Sequence, residues 1–225
     1  MMKVKLPKIH ALLNGKCEID MDSDRQDATE LKNASQALAK RIGRCQLCKD
    51  VLPLGPRPVV QFSSSSRLLI IGQAPGLKVH NSGIPWNDPS GVRLREWMNL
   101  EPERFYDPSR VAIMPMGFCY PGRGRSGDNP PDPRCAPLWH QQIQALMPRI
   151  RLTILVGQYA QRHYLEGFNS LTESVRRWRT HLEQGIIALP HPSPRNNLWL
   201  RRNPWFEAEL IAPLQQSVAA ALKGN

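Results

Sequence analysis

Four short apolar runs organise this chain: Leu68 to Ile71, Val111 to Met114, Leu152 to Val156 and Ile186 to Leu189. None alternates polar with apolar residues, so each reads as a strand buried on both faces, the pattern of a parallel sheet. Each run breaks into glycine or proline, at Gly72, Pro115, Gly157 and Pro190. Helical spacing of apolar positions predicts helices over roughly 91–100, 137–149, 158–166, 172–183 and 204–222. Strands joined by crossover helices give an α/β fold, a three-layer αβα sandwich with a central four-stranded parallel sheet.

An earlier helix is expected to begin near Thr29, where Leu31, Ala34, Leu38 and Ile42 share one face before Gly43. Residues 1–27 are mixed and polar, acidic from Glu18 to Asp27, and read as an N-terminal arm on a single domain spanning 28–225. A proline-punctuated stretch from Leu52 to Pro58 and the polar linker Ser63 to Ser66 lead into the first strand. No internal repeat is visible.

Composition narrows the function. The chain has 225 residues, 41% of them hydrophobic, enough for one α/β core. Thirty Lys+Arg against nineteen Asp+Glu give a formal charge of +11, which favours a polyanionic partner such as nucleic acid; an inert basic surface would carry the same charge. No window approaches the roughly twenty apolar residues of a membrane span, and the N-terminal lysines precede no sustained apolar stretch. The expectation is a soluble, intracellular monomer.

Cysteine usage points to a metal. The five cysteines are an odd number, which argues against complete disulfide pairing. Cys45 and Cys48 form a CxxC, and Cys119 and Cys135 are a second pair further on. Four converging thiolates need a cation or cluster to offset their repulsion, so the set suits an iron-sulfur cluster or zinc, with four buried free thiols as the plain alternative. Composition does not choose between the metals. Cys17, in the arm, has no evident partner.

Two strand-end loops carry the remaining chemistry. Gly72-Gln73-Ala74-Pro75-Gly76 follows the first run, and His191-Pro192-Ser193-Pro194-Arg195-Asn196-Asn197 follows the last. Loops at the carboxyl edge of a parallel sheet converge on one pocket. In this order, and with these cysteines, they resemble the uracil-DNA glycosylase superfamily, closest to the iron-sulfur family four and family five enzymes, over residues 38–210. A GEAPG loop followed without gaps by glycine, proline, an aromatic and glycine is similar to Gly72 to Gly76, Gly83, Pro85, Trp86 and Gly91. The resemblance extends to the HPS loop at His191, Pro192 and Ser193. It also implies a 4Fe-4S cluster on Cys45, Cys48, Cys119 and Cys135.

The resemblance implies a monofunctional glycosylase that extrudes a deaminated base, hydrolyses its N-glycosidic bond and leaves an abasic site in base excision repair. Trp86 would stack on the base, unless it is a core tryptophan capping the sheet. His191 would donate to the base carbonyl, unless it only braces a loop bend. Gln73, with the backbone of Gly72 and Ala74, could bind the same carbonyl. Ser193 and Arg195 would sit near the DNA, with Arg123, Arg125, Arg134, Arg201 and Arg202 as phosphate contacts or plain surface charges.

The chain departs from the pattern twice. Ala74 stands where the best-known members hold a water-activating aspartate, so His80 and Asp88 are the candidate replacements, although Asp88 before Pro89 also suits a turn. Pro115 stands where family four has a uracil-pairing asparagine, which leaves base preference open to xanthine or hypoxanthine and makes Asn87 a possible substitute amide. The other readings are a non-catalytic iron-sulfur sensor of damaged or single-stranded DNA, and a zinc-stabilised module with an RNA ligand.

Overall fold

The computed structural model describes residues 21–125 and 127–223. The first twenty residues of the expected arm, Cys17 among them, therefore lie outside the described residues. Helix α1 (Met21–Gly43) begins ahead of the expected Thr29 and takes in part of the acidic stretch assigned to the arm.

The four apolar runs are the four strands of the central sheet: β1 (Leu68–Ile71), β2 (Val111–Ile113), β5 (Leu152–Val156) and β6 (Ile186–Leu189). Every residue in them is buried, as unbroken apolar runs require. Their order is β2-β1-β5-β6 and all pairings are parallel. Register is set by Leu68 opposite Val111 and Leu152, and by Thr153 opposite Ile186. The outer edge of β2 is covered by the preceding segment, where Gln61 bridges Ile113 and its side-chain amide donates to the carbonyls of Phe105 and Val111.

Helices cover both faces. After β1 come α2 (Leu77–Ser82), α3 (Pro89–Met98) and α4 (Pro102–Phe105). A small antiparallel hairpin, β3 (Arg123–Gly124) and β4 (Gly127–Asp128), precedes α5 (Cys135–Ala145). Then follow α6 (Gln158–Tyr164), α7 (Leu171–Arg176), α8 (Trp178–Leu182), α9 (Asn197–Arg202) and α10 (Ile211–Leu222). Helix α10 packs on α3 and over β1 and β5, while α1 packs on α5 and α7 and α8 pack on β6. With right-handed crossovers, α3 and α10 form one outer layer and α5 to α8 the other.

Two expected helices differ in detail. The span 172–183 is broken at Arg177 into α7 and α8. Val175, Trp178 and His181 are all buried and recur every three residues, a spacing that drifts off one face of a continuous α-helix and that a tighter turn realigns. The span 204–222 opens with a π-helical segment, Phe206–Leu210, before α10. Pro213 lacks an N–H and its ring would crowd the carbonyl four residues back, so the ladder widens there.

Candidate active site

In the order β2-β1-β5-β6 the chain leaves β1 in one direction and β5 in the other, so the crevice between their carboxyl ends is the topological switch point. A cleft of about 540 Å³ opens there. It is lined by the 72–76 loop after β1, Pro115 after β2, Gln158 and Tyr159 after β5, and His191 after β6. Trp86, Asp88, Ser193 and Arg195 complete it from the connecting loops.

His191 is the best-defined group. The Ser193 backbone N–H donates to its Nδ1 at 3.2 Å, which assigns the ring proton to Nε2. The ring is accessible from the cleft yet densely surrounded by protein, and burial holds it down to about 4, against a smaller upward pull from Asp88. At neutral pH it is an uncharged donor. Its loop is fastened from two sides: Asn196 Nδ2 donates to the His191 carbonyl at 2.7 Å, and Arg93 on α3 donates to the Pro192 carbonyl at 3.2 Å and Asn197 Oδ1 at 2.8 Å.

The Trp86 ring lies 5.5 Å from that of His191, tilted by 35°. Trp86 has φ of 56°, a conformation rare for a large side chain. Two glycines make room for it. A Cβ on Gly72 would come within 2.9 Å of Trp86 Cζ2, and one on Gly91 would overlap the Trp86 carbonyl oxygen outright. Asp88 caps α3, its Oδ1 accepting from Gly91 N–H at 2.8 Å. The turn chemistry expected of Asp88 is thus present, and the residue also lines the cleft.

Asp128, on β4, is a second carboxylate on the cleft wall that the sequence did not signal. Its carboxyl is raised by burial, pulled down by Arg195 and Arg123, and raised further by Asp88. A Cβ on Gly76 would meet its Oδ2 at 3.4 Å, and one on Gly127 would run into the Arg195 guanidinium. The hairpin therefore closes against both the 72–76 loop and the HPS loop.

Not every expected site residue reaches the cleft. His80 sits on α2, buried, with its ring 6.0 Å from Tyr120, and is not part of the cleft wall. Asn87 is exposed and also off the wall. Gln73 lines the cleft but donates its amide to the Asn129 carbonyl at 3.4 Å. Arg123 and Arg125 are exposed on the hairpin, while Arg134 is held in a two-pronged pair by Asp132 at 2.9 and 2.7 Å. Gln158 and Tyr159 were missed, although Gly157 marked a strand end like the other two.

Pro115 supplies no side-chain donor, and its carbonyl is already engaged. Gln144 Nε2 donates to the Tyr164 hydroxyl at 3.1 Å, that hydroxyl donates to His140 Nδ1 at 2.6 Å, and His140 Nε2–H donates to the Pro115 carbonyl at 3.0 Å. Burial holds His140 down to about 4, so it is neutral and this relay has a fixed sense.

Cys45, Cys48, Cys119 and Cys135 line a second cavity, with Trp139 and Phe118. Among the described residues no three His, Cys, Asp or Glu side chains converge on a single-ion point. The four thiols are nonetheless neighbours: burial raises Cys119 to about 11 and Cys135 to about 12, and the other cysteines push them up further. Phe118 N–H donates to Cys135 Sγ at 3.3 Å. Such a set ionises only around a compensating positive charge.

An α/β sheet carries its cleft at the switch point, walled by a neutral histidine, an aromatic face and two carboxylates, the place and the groups expected of a ligand site in this class of fold. The family model of the Uracil DNA glycosylase superfamily matches residues 59–215, well over half the chain, and the chain belongs to that superfamily. Membership brings DNA glycosylase chemistry and a DNA substrate as the class of activity. Among the described residues no helix is long and apolar enough to cross a membrane.

Proposed function

We propose that this protein is a monofunctional glycosylase that excises uracil, or a related deaminated base, from DNA in base excision repair. The observation that carries this reading is a neutral His191, its Nε2–H unclaimed by the Ser193 amide that fixes the ring, facing Trp86 across 5.5 Å. An extruded base stacked on Trp86 brings its carbonyl to that donor. As the N-glycosidic bond breaks, negative charge develops on the carbonyl and the hydrogen bond strengthens. A neutral donor does this without first favouring the ground state through a full charge.

Asp88, on the cleft wall and held at the α3 N-terminus, would offset the positive charge that develops on the sugar. Arg195, on the rim, is placed to enter the duplex or hold a phosphate once the base has left the stack. Pro115 offers no amide to the base edge, and Gln158 on the same cleft wall is the side-chain amide available to replace it. The four cysteines suit a 4Fe-4S cluster better than one zinc ion, since they surround a cavity rather than a point. Such a cluster would tie the end of α1 to the loop after β2 and to α5.

Incubating a uracil-containing oligonucleotide with the protein and treating it with alkali should produce strand breaks at uracil. His191→Ala should abolish them while leaving DNA binding intact. Intact DNA with undiminished binding by the natural protein would favour a damage sensor instead.

A further inference from the structure

Hydrolysis of a base–sugar bond needs a water molecule activated near the sugar, and the loop that follows β1 has no group for it: Gly72, Gln73, Ala74, Pro75 and Gly76 carry no carboxylate. Asp88 is already engaged: its Oδ1 caps α3 through Gly91 N–H, and a proton taken up by the carboxylate would weaken that cap. His80 lies off the cleft. Among the described residues of the cleft wall, the one remaining carboxylate is on the hairpin.

We propose that Asp128 is the general base that activates the attacking water, delivered to the cleft by the β3–β4 hairpin. The inference rests on the glycosylase reading. Asp128 Oδ2 lies 3.4 Å from where a Cβ on Gly76 would stand, so the carboxylate lies beside the loop whose own side chains lack one. The hairpin is held there by glycine. Gly127, at φ of 148°, has the Arg195 guanidinium against it where any side chain would stand. A carboxylate on the wall of a cleft that takes a polyanion repels that substrate, and its presence there argues for a chemical use.

The step balances. Asp128 takes a proton from water as the water oxygen bonds to the sugar C1′. The C1′–N bond breaks and its electron pair leaves on the base, where His191 Nε2–H meets the developing charge. The base then takes a proton from solvent, and Asp128 returns its own to solvent. The charged and titratable groups facing Asp128 are Arg123 on β3, Arg195 on the HPS loop, Asp88 at the head of α3 and Tyr120 before the hairpin.

The test uses the full chain as purified, under single-turnover conditions, with a uracil-containing oligonucleotide over a range of pH. Asp128→Asn should lower the rate by at least ~100-fold, lose the fall in rate at acid pH, and keep the natural affinity for a non-cleavable 2′-fluoro-uracil oligonucleotide. Added formate should restore activity to Asp128→Ala, and it should do nothing for His191→Ala. A loss below about tenfold in Asp128→Asn, with the acid limb intact, overturns the assignment while leaving the glycosylase standing. If Asp128→Asn does not fold, the formate experiment decides, and no rescue of a folded Asp128→Ala overturns the assignment. A natural protein that releases no base from uracil, xanthine or hypoxanthine DNA overturns both readings.

Discussion

Replacing either of two glycines by alanine should separate the stability of the Trp86 loop from its use. In Gly91→Ala the new Cβ would overlap the Trp86 carbonyl oxygen and lie 2.6 Å from its carbonyl carbon and 2.8 Å from its Cβ. The first two are backbone atoms, so no rotamer relieves them. Overpacking costs about 1–3 kcal/mol, loss of the Asp88 cap about 1 more, and alanine returns about 1 through helix propensity. The net is about 1–3 kcal/mol, a fall in Tm of about 2–12 °C for a domain this size. In Gly72→Ala the Cβ meets only the edge of the Trp86 ring, at 2.9 Å from Cζ2. The ring can move, so stability should change by less than about 1 kcal/mol while the excision rate falls at least ~10-fold through misplacement of the stacked base. Calorimetric melting and single-turnover excision on the same preparations read both effects. Gly91→Ala melting like the natural protein, or Gly72→Ala keeping its full rate, would refute the packing argument or the role of Trp86 respectively.

Other outcomes follow from the same geometry. His140 is lowered from 6.5 to about 4, so the folded state resists a proton that the unfolded state accepts. Stability is therefore fully present above pH ~6.5, is lost as pH falls towards about 4 by about 3 kcal/mol, and levels off below; in denaturant titrations at several pH values, His140→Gln should flatten that loss. Gln158→Ala should reduce kcat/KM for uracil by about tenfold and narrow its margin over cytosine, as loss of one hydrogen bond to a buried base edge predicts; unchanged selectivity would place recognition elsewhere. Cys135→Ala should remove iron, sulfide and visible colour together and lower Tm, whereas a colourless natural protein with one bound zinc would contradict the cluster.

The sheet was legible because four unbroken apolar runs have no other use than strands buried on both faces, and Gly72, Gly157 and Pro190 marked their ends. The strand-end loops pointed to His191 and the family resemblance to Trp86 and the neighbouring Asp88, and all three line the cleft. What stayed hidden is held by contacts distant in sequence. The β3–β4 hairpin has two residues per strand and no periodicity, and it exists where Arg195 packs on Gly127; Asp128 could not be seen without it. His80 was misplaced for a related reason. A six-residue helix inside the loop, α2, turns it towards Tyr120 and away from the cleft. The break at Arg177 likewise answers to burial against β6, with no glycine or proline to announce it.

The most direct test of the central claim is mass analysis of the products formed from a duplex holding a single uracil. The account predicts free uracil and an unbroken strand lighter by the lost base, formed by the natural protein and absent with His191→Ala. An unaltered strand, from protein that binds the same duplex, would contradict it.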